Sequence, residues 1–165
     1  MSDNYPKQSS PRADLLWQQP EVIRWSRILT ESYYQLLGRE LVVSQDTPEQ
    51  VSQALFQAPF VVVSHGIEPD PVLNYGNQTA LKLWSMSWSE FTQTLSRLTA
   101  EPVNRANRAS MLEQVAEQGY VDNYQGIRIS STGKRFSIEQ AVIWNVTDAG
   151  QPCGQAATFA HWKWL

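Results

Sequence analysis

Residues 59–84 read PFVVVSHGIEPDPVLNYGNQTALKLW, and the reading of this stretch decides the fold. Residues 60–63 are an unbroken apolar run rich in β-branched side chains, the composition of a central strand covered on both faces. Glu68-Pro69-Asp70-Pro71 ends the run, because each proline keeps the residue before it out of helical geometry and removes a backbone donor. Residues 72–75 can therefore resume only as a short strand, placed near an edge where missing donors are tolerated. Asn77 then has the character of a helix N-cap, and Ala80, Leu81 and Trp84 follow at the spacing of one helical face.

Upstream, residues 1–13 (MSDNYPKQSSPRA) are too polar to repay the entropy of ordering, and a flexible tail is expected. Pro20 and Glu21 suit a first helical turn, and Val22, Trp25, Leu29, Tyr33 and Leu36 recur at steps of three and four until Gly38. A second helix is expected from Thr47, where Thr47 and Gln50 have capping-box spacing, to the residues before Pro59. Downstream, Ser87 and Glu90 repeat that spacing and predict a short helix over 88–95, with Arg97 just beyond it. Residues 101–118 predict a longer helix with Pro102 in its first turn, an apolar face of Met111, Leu112 and Val115, and Gly119 as its stop. Strands are expected over 120–130 and 135–146, around the turn Ser131-Thr132-Gly133-Lys134. Strict alternation in the second places Phe136, Ile138, Gln140, Val142 and Trp144 on one face. A turn at Asp148-Ala149-Gly150 leads to a last strand over 153–162, whose Gly154, Ala156 and Ala157 permit close approach of a helix or ligand.

A length of 165 residues suits one domain, with 1–13 as tail, N-terminal helices over 14–57 and a core over 58–162. Seven Trp in a chain that is 11% aromatic favour a dense core or a ligand pocket. The net charge of −3 and the dispersed basic residues lack the footprint of a phosphate-backbone binder, so no nucleic acid is expected. The single cysteine, Cys153, rules out an intrachain disulfide framework and fits a reducing interior. No charged-then-apolar leader and no run long enough to cross a bilayer are seen, and a soluble cytoplasmic protein with no membrane partner is expected.

Two strands, a cluster of short helices, one longer helix and three antiparallel strands is the element order of the PAS fold. The segments SHGIEPDPVLNYGNQTALKLW (64–84), LTAEPVNRANRASML (98–112), GYVDNYQGIRISSTGKRFSIEQAVIWNV (119–146) and GQAATF (154–159) resemble, more narrowly, the PAS-related MEKHLA family. That family occurs at the C-terminus of plant homeodomain leucine-zipper regulators and as free-standing bacterial proteins. The similarity spans roughly residues 15–162. It implies an α+β fold, a five-stranded antiparallel sheet with helices on one face plus N-terminal flanking helices. It further implies a sensory or interaction-regulating role in a free-standing bacterial form. Light-sensing flavin domains of the PAS class need a cysteine in the helix after the short helices, and residues 77–118 contain neither cysteine nor histidine. Flavin-adduct chemistry and a haem ligated from that helix are both disfavoured.

Ser64, His65, Glu68 and Asp70 bring metal-ligand and acid–base residue types together. Adjacent strand residues point to opposite faces, so Ser64 and His65 do not act on each other as nucleophile and base. A metal site of His65, Asp70 and His161 requires the first and last strands to pair. A hydrogen-bonded histidine and a solvated turn held by Asp70 and Asn74 is the commoner arrangement, and no metal is expected. Arg97, Arg105 and Arg108 suit either a ligand anion or a network with Glu101. Gln140 and Gln155, polar among Phe136, Ile138, Val142, Trp144 and Phe159, either satisfy each other or orient a small molecule beside Trp84. The stripe Trp25, Leu29, Tyr33 and Leu36 suits homodimerisation, docking of a partner or packing on the sheet. The leading expectation is a sensory or regulatory domain, not an enzyme, that binds a small ligand, a protein partner or both. The alternatives are an interaction module with a filled core and, third, a small acid–base enzyme using His65 and Asp70.

Overall fold

The computed structural model describes residues 12–43, 45–101 and 105–165; the expected tail lies outside them except for its last two residues, as do Pro102 and the side chains of Arg105 and Arg108. The chain opens with a 3-10 turn, Ala13–Gln18, that buries Leu16 and Trp17. Helix α1 (Pro20–Leu37) begins on a proline and ends at Gly38, whose φ of 69° gives the left-handed cap that a side chain would resist. Helix α2 (Pro48–Phe56) carries the full Thr47–Gln50 capping box. Strands β1 (Val61–His65) and β2 (Leu73–Gly76) flank the proline-rich turn. Helices α3 (Gln78–Trp84) and α4 (Trp88–Phe91) follow. The second is shorter than expected, because a turn at Thr92 leads to a second 3-10 segment, Ser96–Thr99. Helix α5 (Arg105–Gln118) stops at Gly119, and β3 (Tyr120–Ile129), β4 (Arg135–Asp148), β5 (Gln151–Phe159) and β6 (His161–Trp164) complete the chain.

The sheet is antiparallel in the order β2-β1-β5-β4-β3, with β6 also on β4. Its β2 edge is not left open. The Leu73 N–H donates to Thr94 O at 3.0 Å and the Ser96 N–H to Pro71 O at 2.8 Å, so the segment after α4 satisfies the groups an edge strand would expose.

The expected alternation along β4 breaks at Gln140, which is exposed with φ 53°, so the one-face set of the sequence reading is corrected here. Phe136 and Ile138 share a core with Ala141, Trp84, Phe91 and Phe159, whereas Val142, Trp144 and Val146 belong to the core under α1. A bulge adds one residue and turns every later side chain to the other face. The partner strand is interrupted at the same level. Ala160 separates β5 from β6, while the pairings Val142–Thr158 and Phe136–Trp164 keep one continuous register. The last strand is therefore two strands rather than the single run 153–162.

Both faces of the sheet are covered. On one lie α3, α4 and α5; on the other α1 and α2 bury Val22, Ile28, Leu29, Tyr33 and Leu55 against Val62, Tyr75, Trp144 and Ala156. Trp25, Leu29, Tyr33 and Leu36 thus face the chain's own sheet. Freeing them for a partner would cost about 1.5–3 kcal/mol per buried side chain, more than a modest interface returns. Polar groups fix the same contact. The Trp25 indole donates to Ser64 Oγ at 2.9 Å, Ser64 donates to Asn74 Oδ1 at 2.6 Å, and the Trp144 indole donates to Ser32 Oγ at 3.3 Å. Among the described residues the Tyr75 hydroxyl is buried in this core with no hydrogen bond of good geometry; Ser26, the polar group that faces it, spends its own proton on Val22 O at 2.7 Å.

Three outcomes in urea denaturation follow. Gln140→Gly should stabilise by about 1 kcal/mol, since glycine bears the left-handed conformation without the penalty of a Cβ, and Gln140→Val should destabilise. Tyr75→Phe should leave stability unchanged or raise it by up to about 1 kcal/mol, because it removes a hydroxyl that was buried without compensation.

Candidate functional site

Residues of opposite parity on β1 and β5 serve opposite faces. Val61, Val63 and His65 pair with Phe159, Ala157 and Gln155 on the α3–α5 side, while Ser64 and Ala156 turn to α1. Between the α3–α5 side and its helices lies a partly open cavity of about 120 Å³. Its floor includes Val63, Ile138, Ile143 and Ala157, and its walls include Leu73, Trp84, Phe91 and Phe159. His65, Ser96, Thr99, Arg128 and Gln155 supply the polar lining.

Trp84 is the fixed wall. Its ring meets Phe91, Phe136 and Phe159 edge-on at centroid distances of 6.0, 5.2 and 6.2 Å, and its indole donates to Thr99 O at 3.4 Å. Gly76 lets Phe91 into this cluster, since a Cβ there would stand 2.7 Å from the phenyl ring. His65 Nδ1 lies 2.8 Å from Gly66 O, a contact that makes Nδ1 the protonated nitrogen. Gln155 donates from Nε2 to Asn145 Oδ1 at 3.5 Å. A side chain at Gly154 would collide with the carbonyl of His65, so glycine is what brings β5 up to β1 at this end of the cavity.

Of the expected ligand residues, Trp84, Gln155 and Phe159 line the cavity. Val142 and Trp144 do not, because the bulge sends them under α1, and Gln140 is exposed at the bulge itself, so it does not partner Gln155. Arg97 is exposed and holds Asp70 at 3.2 Å, and Arg105 and Arg108 lie outside the described side chains. Glu101 pairs with Arg135. The strand break moves His161 onto β6 opposite Glu139, on the face away from His65, so the set His65, Asp70 and His161 does not converge. The first strand pairs with β5 alone of the last two, and Gln155 stands opposite His65. Among the described residues no group of three His, Cys, Asp or Glu side chains converges, and Glu68 is exposed in its turn. Asn74 does hold the turn through Ser64, and Asp70 holds it through Arg97. Cys153 packs on the α1 side.

Arg128 was missed, although the hairpin register contains it. With the turn at 131–134, Arg128 pairs with Phe136, an inward residue, and therefore points inward itself. Val63 enters from β1 beside Val61, Ile143 enters from β4 because the bulge changes its face, and Thr99 enters from the 3-10 segment.

The architecture is that of PAS domains. The chain superposes on the PAS domain of a Colwellia psychrerythraea protein with a TM-score of 0.59 at 14% identity, covering 73% of this chain and 98% of that one. It superposes on an RNA-binding Light-Oxygen-Voltage receptor with a TM-score of 0.55 at 18% identity, covering 71% and 36%. A Light-Oxygen-Voltage domain studied with a flavin analogue gives 0.53 at 18% identity, covering 70% and 84%. Residues 23–164 match the MEKHLA domain, and the chain belongs to that family. Its relatives include the homeobox-leucine zipper proteins HOX10 of Oryza sativa, 29% identical over 150 residues, and REVOLUTA of Arabidopsis thaliana, 25% identical over 154 residues. Each match takes in 88% of this chain but 18% of the relative, so the chain spans less than a fifth of those proteins. Among the described residues no helix is long and apolar enough to cross a membrane.

A flavin does not fit this cavity. About 120 Å³ is well below the ~300–1,000 Å³ of sites for drug-sized ligands, and the chain's one cysteine lies under the other face.

The exposed Arg135–Glu101 pair pins the entrance to α5 against the hairpin. Its main effect on Glu101 is the hydrogen bond from Arg135, which holds the carboxyl below its ordinary range. A depressed folded-state pKa gives stability that is present above the unfolded value and lost as pH falls through the folded one. Glu101→Gln should therefore lower the urea midpoint slightly at neutral pH, and the difference from the unsubstituted protein should close below about pH 4. A gap that persists unchanged in acid would count against the pairing.

Proposed function

We propose that residues 14–165 act as one sensory or regulatory domain, in which a small molecule enters the cavity between the sheet and α3–α5 and its occupancy is read by a protein partner. The observation that carries this reading is the cavity itself. Native cores close to crystal-like density, with few voids larger than a water, yet here Trp84, Phe91 and Phe159 border a space that His65, Arg128 and Gln155 also reach. Mixed lining of that kind is the mark of a ligand site rather than of a packing defect.

The fold supports the same reading by analogy alone. A solved PAS domain superposes on most of this chain, and the plant relatives are homeobox-leucine zipper proteins in which this domain is one part of a longer chain. The partner is a protein or a second copy. With the apolar stripe of α1 committed to the sheet, the surface left for it includes Tyr34 on the far side of α1 and Val43 beyond it, both exposed.

One observation favours the rival reading of an interaction module without a ligand. The cavity has less than half the volume of an ordinary drug-sized site, so only a small occupant fits. Acid–base catalysis finds less support, because His65 is bonded to Gly66 O and Asp70 to Arg97.

Mass spectrometry of the purified protein under native and then denaturing conditions, with an absorbance spectrum, tests the proposal. A released small molecule is expected from the unsubstituted protein and none from Ala157→Ile, which fills the cavity floor. Equal chain masses in both states, together with no stabilisation of either protein by small apolar probes, would favour the interaction module.

A further inference from the structure

The cavity is lined by one cation to which, among the described residues, no carboxylate is paired. Arg128 points to the same face as Phe136, its cross-strand partner, and lines the cavity. A guanidinium carries five N–H donors. Among the described residues this one donates from Nη1 to Ile127 O at 3.1 Å, the carbonyl of its own neighbour, and also hydrogen-bonds the Tyr124 side chain. The guanidinium also lies 5.9 Å from the centroid of the Tyr124 ring. The five ion pairs of the described residues leave it out, and Glu101, whose N–H bonds Ile127 O, gives its carboxylate to Arg135. Burial pulls the Arg128 pKa below its usual value. The side chain is half-buried, and a cation withdrawn in part from water favours a counter-charge, because desolvation without one is costly.

We propose that the cavity binds a small organic carboxylate, with its anionic head on the Arg128 guanidinium and its apolar body against Trp84, Phe91 and Phe159. This rests on reading the cavity as a ligand site. Two features narrow the class. The volume, about 120 Å³, is close to the ~150 Å³ of an apolar cavity that admits benzene, so the ligand has about five to seven heavy atoms. The lining provides one cation amid apolar walls, which suits a monoanion with a hydrocarbon body. A phosphate, which would ask for charge and donors on all sides, is poorly served. The planar fork of arginine matches the two oxygens of a carboxylate. Ser96 stands in the lining as a hydroxyl donor, whereas Thr99 already donates to Ser96 O at 2.7 Å.

The test is titration of the full chain with isovalerate, with its neutral isostere isovaleramide, with toluene and with inorganic phosphate, followed through the Trp84 indole N–H signal by NMR. Isovalerate should bind at least about tenfold more tightly than the amide, the margin of a charge-assisted bond over a neutral one. Arg128→Gln should erase that preference while amide binding persists, and Arg128→Lys should retain part of it. Because acid and amide are compared on the unsubstituted protein, the result does not depend on the variants folding. Equal binding of acid and amide, or phosphate competing as well as isovalerate, would overturn the carboxylate assignment. So would toluene binding without isovalerate, and the ligand site itself would then stand. Failure of all four probes would overturn the assignment and the reading of the cavity together.

Discussion

Everything in this molecule depends on the paired interruption of the two long strands at Gln140 and Ala160. Each strand gains one residue at the same level, so the hydrogen-bond register is kept while the inward parity changes. Without that step β4 would commit Phe136 and Trp144 to a single face. With it, the first half of β4 closes the cavity side through Phe136 and Ile138, and the second half supplies Trp144 and Val146 to the core under α1. One strand thereby serves two hydrophobic layers, and the N-terminal helices become part of the fold rather than an appendage to it.

The two layers are finished differently. Under α1 the polar atoms are largely paired: Trp25 with Ser64, Ser64 with Asn74, Trp144 with Ser32, and Ser52 with Trp17 O at 2.8 Å. Asn77 joins the layers. Its buried carboxamide accepts from the N–H groups of Val62 and Ala80 and donates to the carbonyls of Leu55 and Phe60, using both oxygen lone pairs and both amide protons. A group satisfied on every side specifies one geometry, since any shift leaves several buried partners unpaired. The end of α2, the start of β1 and the start of α3 are therefore locked together, and the remaining slack lies on the opposite side, between Trp84 and Arg128.

The sequence made the elements legible where local chemistry dictates them. Pro20, Thr47, Asn77 and Gly119 mark helix ends through backbone donors, caps and a left-handed turn, and all four act as their residue types require. The edge position of β2 was likewise written in Pro69 and Pro71. What could not be read was the bulge. Nothing about Gln140 distinguishes it from a polar residue on a half-buried strand, and its φ of 53° is one that its residue type does not favour. That single unseen step misassigned Val142 and Trp144 to the cavity. Arg128 was hidden for a different reason: arginine is usually a surface residue, and only counting across the hairpin places it inside.

The alternation that separates the layers also connects them. His65, Ser64, Gln155 and Ala156 all border the cavity, but the Ser64 hydroxyl and Ala156 also belong to the layer under α1. A strand backbone is stiff at this range, and its neighbouring side chains cannot move independently when both are packed. Gly154 brings the backbone of His65 and β5 together closely enough that no side chain fits between them. Movement of β1 relative to β5 at the cavity would thus act directly on the Ser64 hydroxyl that holds the Trp25 indole. The shortest physical route from the cavity to α1 is one peptide unit long, and it runs through the His65–Ser64 bond.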